Sequence, residues 1–235
     1  MNILAIDTSG PVAGCAVMMD GRIVHSIALC HGLTHSESIM PAVEDCMQAS
    51  GLSCADVDVF AAVAGPGSFT GVRIGVCAAK GFAHAAGKPC VAIHALEALA
   101  MNFYGFDGLV CPILDARRGQ VYCALFDTKD GAPVRVAQDD ATALEALLAR
   151  LPEGRRIMFA GDGLAVHANT ILEKLGDRAL IAPANLRDLR PDAVCALAAR
   201  KRDEWVEAQE LRPVYLRAPQ AERERNAKLK REAQA

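Results

Sequence analysis

The sequence predicts an α/β fold built from two similar halves, and three observations support this prediction. Each half opens with three short apolar segments separated by turns, which is the pattern of a β-meander. An aspartate occupies the first turn of each meander, Asp7 in the first half and Asp115 in the second. Helical patterns, with apolar residues three and four positions apart, follow each meander. A chain of 235 residues that is 52% hydrophobic can bury the core that two such halves require.

The first half covers residues 1–105, and its meander spans residues 2–29. Thr34 and Glu37 form a capping-box pattern ahead of a helix that ends at Gly51. Pro41 falls in the first turns of this helix, where it is least costly if the helix begins near Ser38. The elements predicted after it alternate along the chain: strand 57–64, helix 70–86, strand 89–93 and helix 96–101.

The second half covers residues 106–210 and repeats the meander at 109–114, 121–126 and 134–137. The remaining predicted elements are helix 141–151, strand 157–160, a helix through Leu175 and helix 191–202. Residues 211–235 are predicted to be an extended segment and then a solvated, frayed tail of mixed charge, part of which can pack back on the first half. Two meanders with facing Asp turns are the plan of the two-lobed actin-like ATPase (ASKHA) and ribonuclease-H-like folds.

The stretch around the turn Gly65-Pro66-Gly67 combines a buried strand, a glycine turn and a helix, which is how α/β proteins build anion sites. The spacing excludes the common versions. A Walker loop would need a second glycine where Thr70 stands and a lysine after it, and the dinucleotide fingerprint would need Gly71 one residue earlier. Ser68 is interpreted as a helix cap and not as a nucleophile, because the nucleophile-elbow spacing is absent.

The helix at 70–86 has too narrow a polar edge for an ordinary surface helix. Arg73, Lys80 and His84 form that edge, while small and apolar residues cover two faces. One face is predicted to pack on the protein's own core. The second face either packs in the same domain or meets a helix of a partner chain.

The two Asp turns allow two interpretations. In active actin-like enzymes such turns hold Mg²⁺ or phosphate, but aspartate is also a common residue in turns because its side chain accepts hydrogen bonds from nearby backbone amides. The residues predicted to line a vestigial nucleotide cleft are Asp7, Asp115, Arg118, Gly161 and Asp162. No cofactor is predicted, although weak ATP or ADP binding remains open.

A metal site is not expected. His94 has no second histidine four residues away and is interpreted as a strand-end residue, while His31 and His35 are separated by Gly32 and are expected in a loop. Nine cysteines without a Cys-x-x-Cys pair indicate a reduced, cytoplasmic protein. The net charge of −3 does not favour tight direct nucleic-acid binding, and neither a signal peptide nor a membrane span is expected.

Several motifs resemble those of one family. They are ILAIDTS at the start, HSESIMP at 35–41, AGPGSFTGVRIGVCAAKG at 64–81, DARRGQVYCALF at 115–126, AGDG at 160–163 and PVYLR at 213–217. These motifs resemble the TsaB (YeaZ) family over residues 1–217. The resemblance implies an actin-like fold and a role in forming tRNA N6-threonylcarbamoyladenosine, at the adenosine 3′ of the anticodon.

The resemblance further implies a non-catalytic paralogue of the catalytic subunit TsaD, without intrinsic activity or catalytic residues. It implies binding to TsaD and the ATPase TsaE, indirect contact with tRNA through that complex, and a homodimer when the chain is alone. The partner helices would be 35–50 and 70–86, with the interface residues Glu37, Met40, Val43, Met47, Arg73, Ile74, Val76, Cys77, Lys80 and Gly81. The alternatives are an actin-like ATP-binding phosphotransferase and an M22-type metallopeptidase homologue, the latter lacking paired metal ligands.

Overall fold

The computed structural model of the protein describes residues 1–30, 32 and 34–217. Its ten strands are β1 (Asn2–Asp7), β2 (Ala13–Met19), β3 (Arg22–Leu29), β4 (Val59–Gly65), β5 (Cys90–His94), β6 (Leu109–Asp115), β7 (Gln120–Asp127), β8 (Val134–Ala143), β9 (Ile157–Ala160) and β10 (Ala179–Ile181). Its seven α-helices are α1 (His35–Ser50), α2 (Phe69–Ala86), α3 (Ala95–Ala100), α4 (Leu144–Ala149), α5 (Leu164–Leu175), α6 (Ala184–Arg187) and α7 (Pro191–Arg200).

The strands form two five-stranded sheets with the same internal order. The first sheet runs β3-β2-β1-β4-β5, and the second, read from its β8 edge, runs β8-β7-β6-β9-β10. In each sheet the first three strands pair antiparallel and the last two continue parallel. The predicted duplication is therefore present in the topology, and the chain has the two-lobed actin-like fold. We call the two sheets with their helices the first and second lobes.

The first sheet is buried on both faces, because residues of β1 alternate between two apolar clusters. Leu4 and Ile6 pack with α1 and α2, whereas Ile3 and Ala5 pack on the opposite face with α3 and α7. The helix α7 comes after the second lobe in sequence but packs on β1 and β2. Buried on both faces, β1 is wholly apolar from Ile3 to Ile6, as expected for a central strand.

The main differences from the sequence-based prediction are two boundaries and two short elements. The helix α1 begins at His35, so Pro41 is its seventh residue and not part of its first turn. The strand β8 extends to Ala143 because Asp140 and Ala141 pair with β7, which shortens the predicted helix 141–151 to α4. The short elements β10 and α6 were not predicted, since neither carries a periodic pattern long enough to detect.

The segment 211–217, which we call the strap, runs from the core of the first lobe to the cleft between the lobes. Leu211 is buried against α2 and β4 in the first lobe's core. Further along, the Val214 amide donates a hydrogen bond of 2.7 Å to the Ala64 carbonyl at the end of β4. A Cβ on the next residue, Gly65, would overlap the Val214 carbonyl oxygen, so glycine is required for this approach. The predicted frayed tail after Arg217 lies outside the described residues.

Candidate functional site

Two hairpin turns meet across a cleft of about 460 Å³ between the lobes. One turn follows β1 at Asp7, the other follows β6 at Asp115, and both residues line the cleft. Gly161 and Asp162, in the turn between β9 and α5, line it as well. The fold thus brings together four of the five residues predicted for the vestigial nucleotide cleft.

The fifth residue predicted to line the cleft, Arg118, lies elsewhere in the structure. Arg118 is exposed in the β6–β7 turn, with a left-handed backbone at φ +57°, and it does not line the cleft. Its neighbour Arg117 lines the cleft instead, with Nη1 3.3 Å from the Asp115 carboxylate. In a tight turn, consecutive side chains diverge, and the sequence pattern could not tell which arginine faces inward.

Asp7 is the most deeply buried carboxylate of the cleft, with 2% of its surface exposed. Its Oδ1 accepts a hydrogen bond of 2.8 Å from the Ser9 amide. Burial raises the pKa of Asp7 to about 6, and the hydrogen bonds from Ser9 only partly offset that cost. Asp7 is therefore held by its own turn and disfavours the ionised form.

Asp162 links the two turns of the second lobe. Its Oδ1 accepts a hydrogen bond of 2.9 Å from the Asp115 amide. Burial raises the pKa of Asp162, and the nearby carboxylates of Asp115 and Asp188 add to that rise. The Asp162 side chain thus serves as an internal cap on the β6 turn.

The charge balance of the cleft does not favour a polyphosphate. Among the described residues, four carboxylates line the cleft, against two guanidinium groups; these residues are Asp7, Asp115, Asp162, Asp188, Arg117 and Arg217. An anionic ligand would have to bring cations to enter such a cleft. Within the described residues, no group of three or more histidine, cysteine or acidic side chains has the arrangement of a metal site.

The glycine turn ahead of α2 is filled by the protein's own backbone. The Ser68 amide donates a 2.7 Å hydrogen bond to the Ser9 carbonyl, which lies where an anion would meet the helix N-terminus. A Cβ on Gly67 would overlap that same carbonyl oxygen. Ser68 is the N-cap, accepting from the Gly71 amide at 3.3 Å, as predicted.

The histidines have structural partners. His94 ends β5, as predicted, and its Nε2 lies 2.8 Å from Asp139 Oδ2 on β8, which joins the two lobes. His35 Nε2 donates to the Gly10 carbonyl at 2.7 Å, so this ring positions α1 against the β1–β2 turn. His31 lies outside the described residues.

The outer faces of α1 and α2 leave part of the predicted partner surface accessible. Met40 is 46% exposed, Glu37, Cys77 and Gly81 are exposed, and Ile74 is half-buried. A Cβ on Gly81 would meet no atom within 4 Å, so another helix can approach closely at this point. These five residues stay predicted interface residues.

Three other predicted interface residues are corrected by their burial. Val43 and Met47 on α1 and Val76 on α2 belong to the core between these helices and the first sheet. Each keeps less than a tenth of its surface accessible. These residues were expected at the interface from the family resemblance, whereas the structure packs their side chains on the first sheet.

Arg73 and Lys80, also predicted for the interface, bind the strap. Arg73 Nε donates a 2.8 Å hydrogen bond to Tyr215 Oη. Lys80 Nζ donates to the carbonyls of Gln209 and Leu211 at 3.2 and 3.4 Å. The narrow polar edge of α2 therefore tethers the C-terminal segment along the helix.

The glycines inside α2 do not all serve one purpose. A Cβ on Gly71 would overlap the Thr8 carbonyl, and one on Gly75 would lie 2.7 Å from Thr8 Oγ1. Gly71 and Gly75 thus permit close packing of α2 on the β1–β2 turn of the same chain. Of these three glycines, only Gly81 faces outward. Contact with a partner helix is therefore expected at Gly81 and not at Gly71 or Gly75.

Sequence reasoning expected an extended C-terminal segment that can pack back on the first half, but it missed the residues that hold this strap. The motif PVYLR was noticed only as a family resemblance, yet Tyr215 stacks on Phe69 with ring centroids 5.0 Å apart, and Val214 reaches Ala64. It also missed Asp139 as the partner of His94. The run of apolar and aromatic residues Val214-Tyr215-Leu216 just ahead of a polar tail is a signal for the contacts of the strap. No signal in the sequence reveals Asp139 as the partner of His94.

Comparison with known proteins agrees with this architecture. A family model described as "TsaD: tRNA N6-adenosine threonylcarbamoyltransferase" matches residues 32–225. The "tRNA threonylcarbamoyladenosine biosynthesis protein TsaB" of Bacillus subtilis is 37% identical over 223 residues, which cover 94% of this chain and 96% of that protein. The chain belongs to the TsaB family.

The TsaB family assignment extends to solved structures. A crystal structure from Pseudomonas aeruginosa, described as having similarity to peptidase YEAZ, superimposes with a TM-score of 0.77 and 27% identity, over 92% of this chain and 99% of that one. TsaB of Escherichia coli is 39% identical over 126 residues, 53% of this chain and 54% of that protein. Among the helices of the described residues, none is long and apolar enough to cross a membrane.

Proposed function

We propose that this protein is a non-catalytic subunit in the formation of N6-threonylcarbamoyladenosine in tRNA, at the adenosine 3′ of the anticodon. The observation that carries the proposal is the full-length similarity to TsaB of Bacillus subtilis. Two features of the cleft favour a non-catalytic role. The Ser9 carbonyl fills the glycine turn where an anion would bind, and among the described lining residues the acidic side chains outnumber the arginines.

The proposed partner is the catalytic paralogue TsaD, with the ATPase TsaE joining the complex and tRNA contacted through it. The match of residues 32–225 to the TsaD family model supports kinship between the two subunits. The proposed contact surface is the accessible part of α1 and α2, namely Glu37, Met40, Ile74, Cys77 and Gly81. In the absence of TsaD the same surface would pair two copies of the chain.

The function is tested by tRNA nucleoside analysis in a strain depleted of this protein. We expect threonylcarbamoyladenosine to fall and to recover when the chain is supplied again. A level that stays undiminished during depletion would remove the proposed function. Measuring an unrelated tRNA modification in the same samples controls for a general loss of tRNA quality.

The contact surface is tested by Ala78→Glu, which places a charge on the half-buried outer face of α2. We expect loss of the complex with TsaD in size-exclusion chromatography, because a carboxylate between packed helices is desolvated without a partner. Ala165→Glu on exposed α5 is the matched control and should leave the complex intact. Val76→Glu would be uninformative, since Val76 is a core residue. A complex that survives Ala78→Glu would show that the surface is assigned wrongly.

The alternative is an actin-like ATP-binding phosphotransferase, and the interlobe cleft is the observation in its favour. The geometry predicts weak ATP or ADP binding at most by the isolated chain, for the electrostatic and steric reasons given above. Calorimetry with ATP and Mg²⁺ decides the question. Micromolar binding that Asp7→Ala abolishes would favour the alternative. The M22-type metallopeptidase reading has no metal-ligand cluster among the described residues to support it.

A further inference from the structure

The Arg73 side chain on α2 is held in one orientation although it is exposed. Its guanidinium carbon lies 3.8 Å from the centroid of the Phe69 ring, and its Nε donates to Tyr215 Oη at 2.8 Å. Tyr215 in turn stacks on Phe69, with 30° between the ring planes. A cation–π contact and a directed hydrogen bond therefore fix a side chain that would otherwise sample many rotamers.

The two terminal nitrogens of the Arg73 guanidinium form no hydrogen bond with the described residues. Among the described residues, no carboxylate forms an ion pair with Arg73, and the hydrogen bond to Tyr215 uses only Nε. The two terminal nitrogens form a planar fork whose donors match the two oxygens of a carboxylate. Because Phe69 and Tyr215 have already ordered the side chain, binding a carboxylate there would cost little further entropy.

The helices of the proposed contact surface carry opposite charges. The helix α2 contains Arg73 and Lys80 and no acidic residue, whereas α1 contains Glu37, Glu44 and Asp45 and neither lysine nor arginine. The three acidic residues of α1 are exposed. Pairing α2 with a helix like itself would oppose like charges, while pairing it with a helix like α1 would bring opposite charges together.

We propose that Arg73 is a pre-oriented clamp for a carboxylate on the partner helix that corresponds to α1. This inference rests on the proposed function, because it takes the partner to be the homologous catalytic subunit. The TsaD family model covers both α1 and α2, so that subunit has counterparts of both helices. Cys77 and Gly81, at four-residue steps from Arg73 on α2, are exposed along the same side and let the partner helix approach.

The test compares Arg73→Gln with Arg156→Gln, which removes the same charge from an exposed position in the second lobe. Binding to the purified TsaD of the same organism is measured by calorimetry at low and moderate salt. We expect Arg73→Gln to weaken binding roughly tenfold or more and to flatten its salt dependence, with Arg156→Gln unchanged. Equal affinities for the two variants would overturn the clamp.

Two further variants separate the clamp from a simple positive charge. Arg73→Lys keeps the charge but loses the fork, and we expect most of the affinity to be lost. Tyr215→Phe keeps the ring stack but removes the acceptor for Nε, and we expect roughly a threefold loss. Wild-type affinity in Arg73→Lys would overturn the proposal. If the unmodified chain fails to bind TsaD at all, the proposed function fails, and this outcome is distinct from equal binding by the variants.

Discussion

The first and second lobes share one topology but differ in how deeply the aspartate of the first hairpin turn is buried. In both lobes, a glycine that follows the parallel strand beside the central one packs on the backbone of that central strand or its turn. Gly71, after β4, packs on Thr8 beyond β1, and Gly161, after β9, packs on Ile113 of β6. Both aspartates accept a hydrogen bond from the amide two residues further on, but Asp7 is buried, whereas Asp115 is partly exposed and also pairs with the Arg117 guanidinium.

The difference shows that the turn of the first lobe has become part of a core. The helix α2 packs on Thr8 through Gly71 and Gly75, and Ser9 fills the turn before the helix. The turn of the second lobe keeps two consecutive arginines with left-handed backbones, directed to solvent and cleft. A duplicated fold can therefore keep the geometry of a two-sided cleft while it buries the aspartate of one side and leaves that of the other partly exposed.

The largest expected effect is from Gly71→Ala. The added Cβ would overlap a backbone carbonyl that cannot move without displacing β1, so we expect a loss of about 4 kcal/mol in the free energy of unfolding. Urea unfolding followed by circular dichroism measures this. Gly161→Ala should be similarly damaging in the second lobe, where φ is +111° and the Ile113 carbonyl is in the way.

Gly81→Ala is the control within the same helix. Open space surrounds its Cβ position, and alanine is the better helix former, so we expect a gain of up to about 1 kcal/mol. If Gly71→Ala were as well tolerated as Gly81→Ala, the close packing of α2 on the first turn would be refuted.

The next effect is a pH-dependent stabilisation by Asp7→Asn. Burial raises the pKa of Asp7 from 3.8 to about 6, so the folded state binds a proton more tightly than the unfolded state. Wild-type stability should therefore fall as pH rises from about 4 to about 6 and stay lower above that range. Asparagine keeps an acceptor for Ser9 without the charge, and the gain at pH 8 should approach about 3 kcal/mol.

Thermal unfolding at pH 4 and pH 8 provides the measurement for Asp7→Asn. The advantage of the variant should shrink toward zero at pH 4, where Asp7 is protonated in the folded protein. Asp115→Asn is the matched control on the other side of the cleft and should not reproduce this profile. A constant difference between wild type and Asp7→Asn at both pH values would contradict the buried-carboxylate account.

Much of this architecture was predictable from local pattern. Alternating apolar segments gave the meanders, and Ser68 and Gly87 bounded α2 correctly. The positions of Asp7 and Asp115 in matching turns predicted that they meet across one cleft. These features depend on residues close in sequence, where turn and capping chemistry act.

Features that depend on distant contacts were not predictable. The burial of Val76 and the pairing of Arg73 with Tyr215 are each decided by a neighbour far along the chain. The extension of β8 past Asp140 likewise follows from pairing with β7, which overrides a helical propensity. Single-sequence periodicity contains no information about those neighbours.

The smallest expected effect tests the junction between the lobes, where His94 meets Asp139. Burial opposes ionisation of Asp139, but the contacts with His94 and Arg135 outweigh it and lower its pKa. The resulting stabilisation is present above pH 4 and is lost as pH falls through the lowered pKa. Asp139→Asn should cost about 1 kcal/mol at pH 7 in chemical unfolding, and progressively less as the pH is lowered below 4.

Asp140→Asn is the neighbouring control, because Asp140 pairs with Arg150 inside the second lobe and near the surface. We expect it to cost less than Asp139→Asn at pH 7. If the two variants were equally mild, the bridge between the lobes would contribute no more than an ordinary surface ion pair.

The hydrogen bond between the Val214 amide and the Ala64 carbonyl can serve as a probe of local opening in this protein. Val214 lines both the cleft of the two Asp turns and a second cleft of about 460 Å³ behind it, near His94. Its amide hydrogen is bonded to the Ala64 carbonyl at the end of β4, so deuterium can replace it only when the strap leaves the first lobe. The exchange rate of this one amide therefore reports how often the strap detaches at the junction of the two clefts.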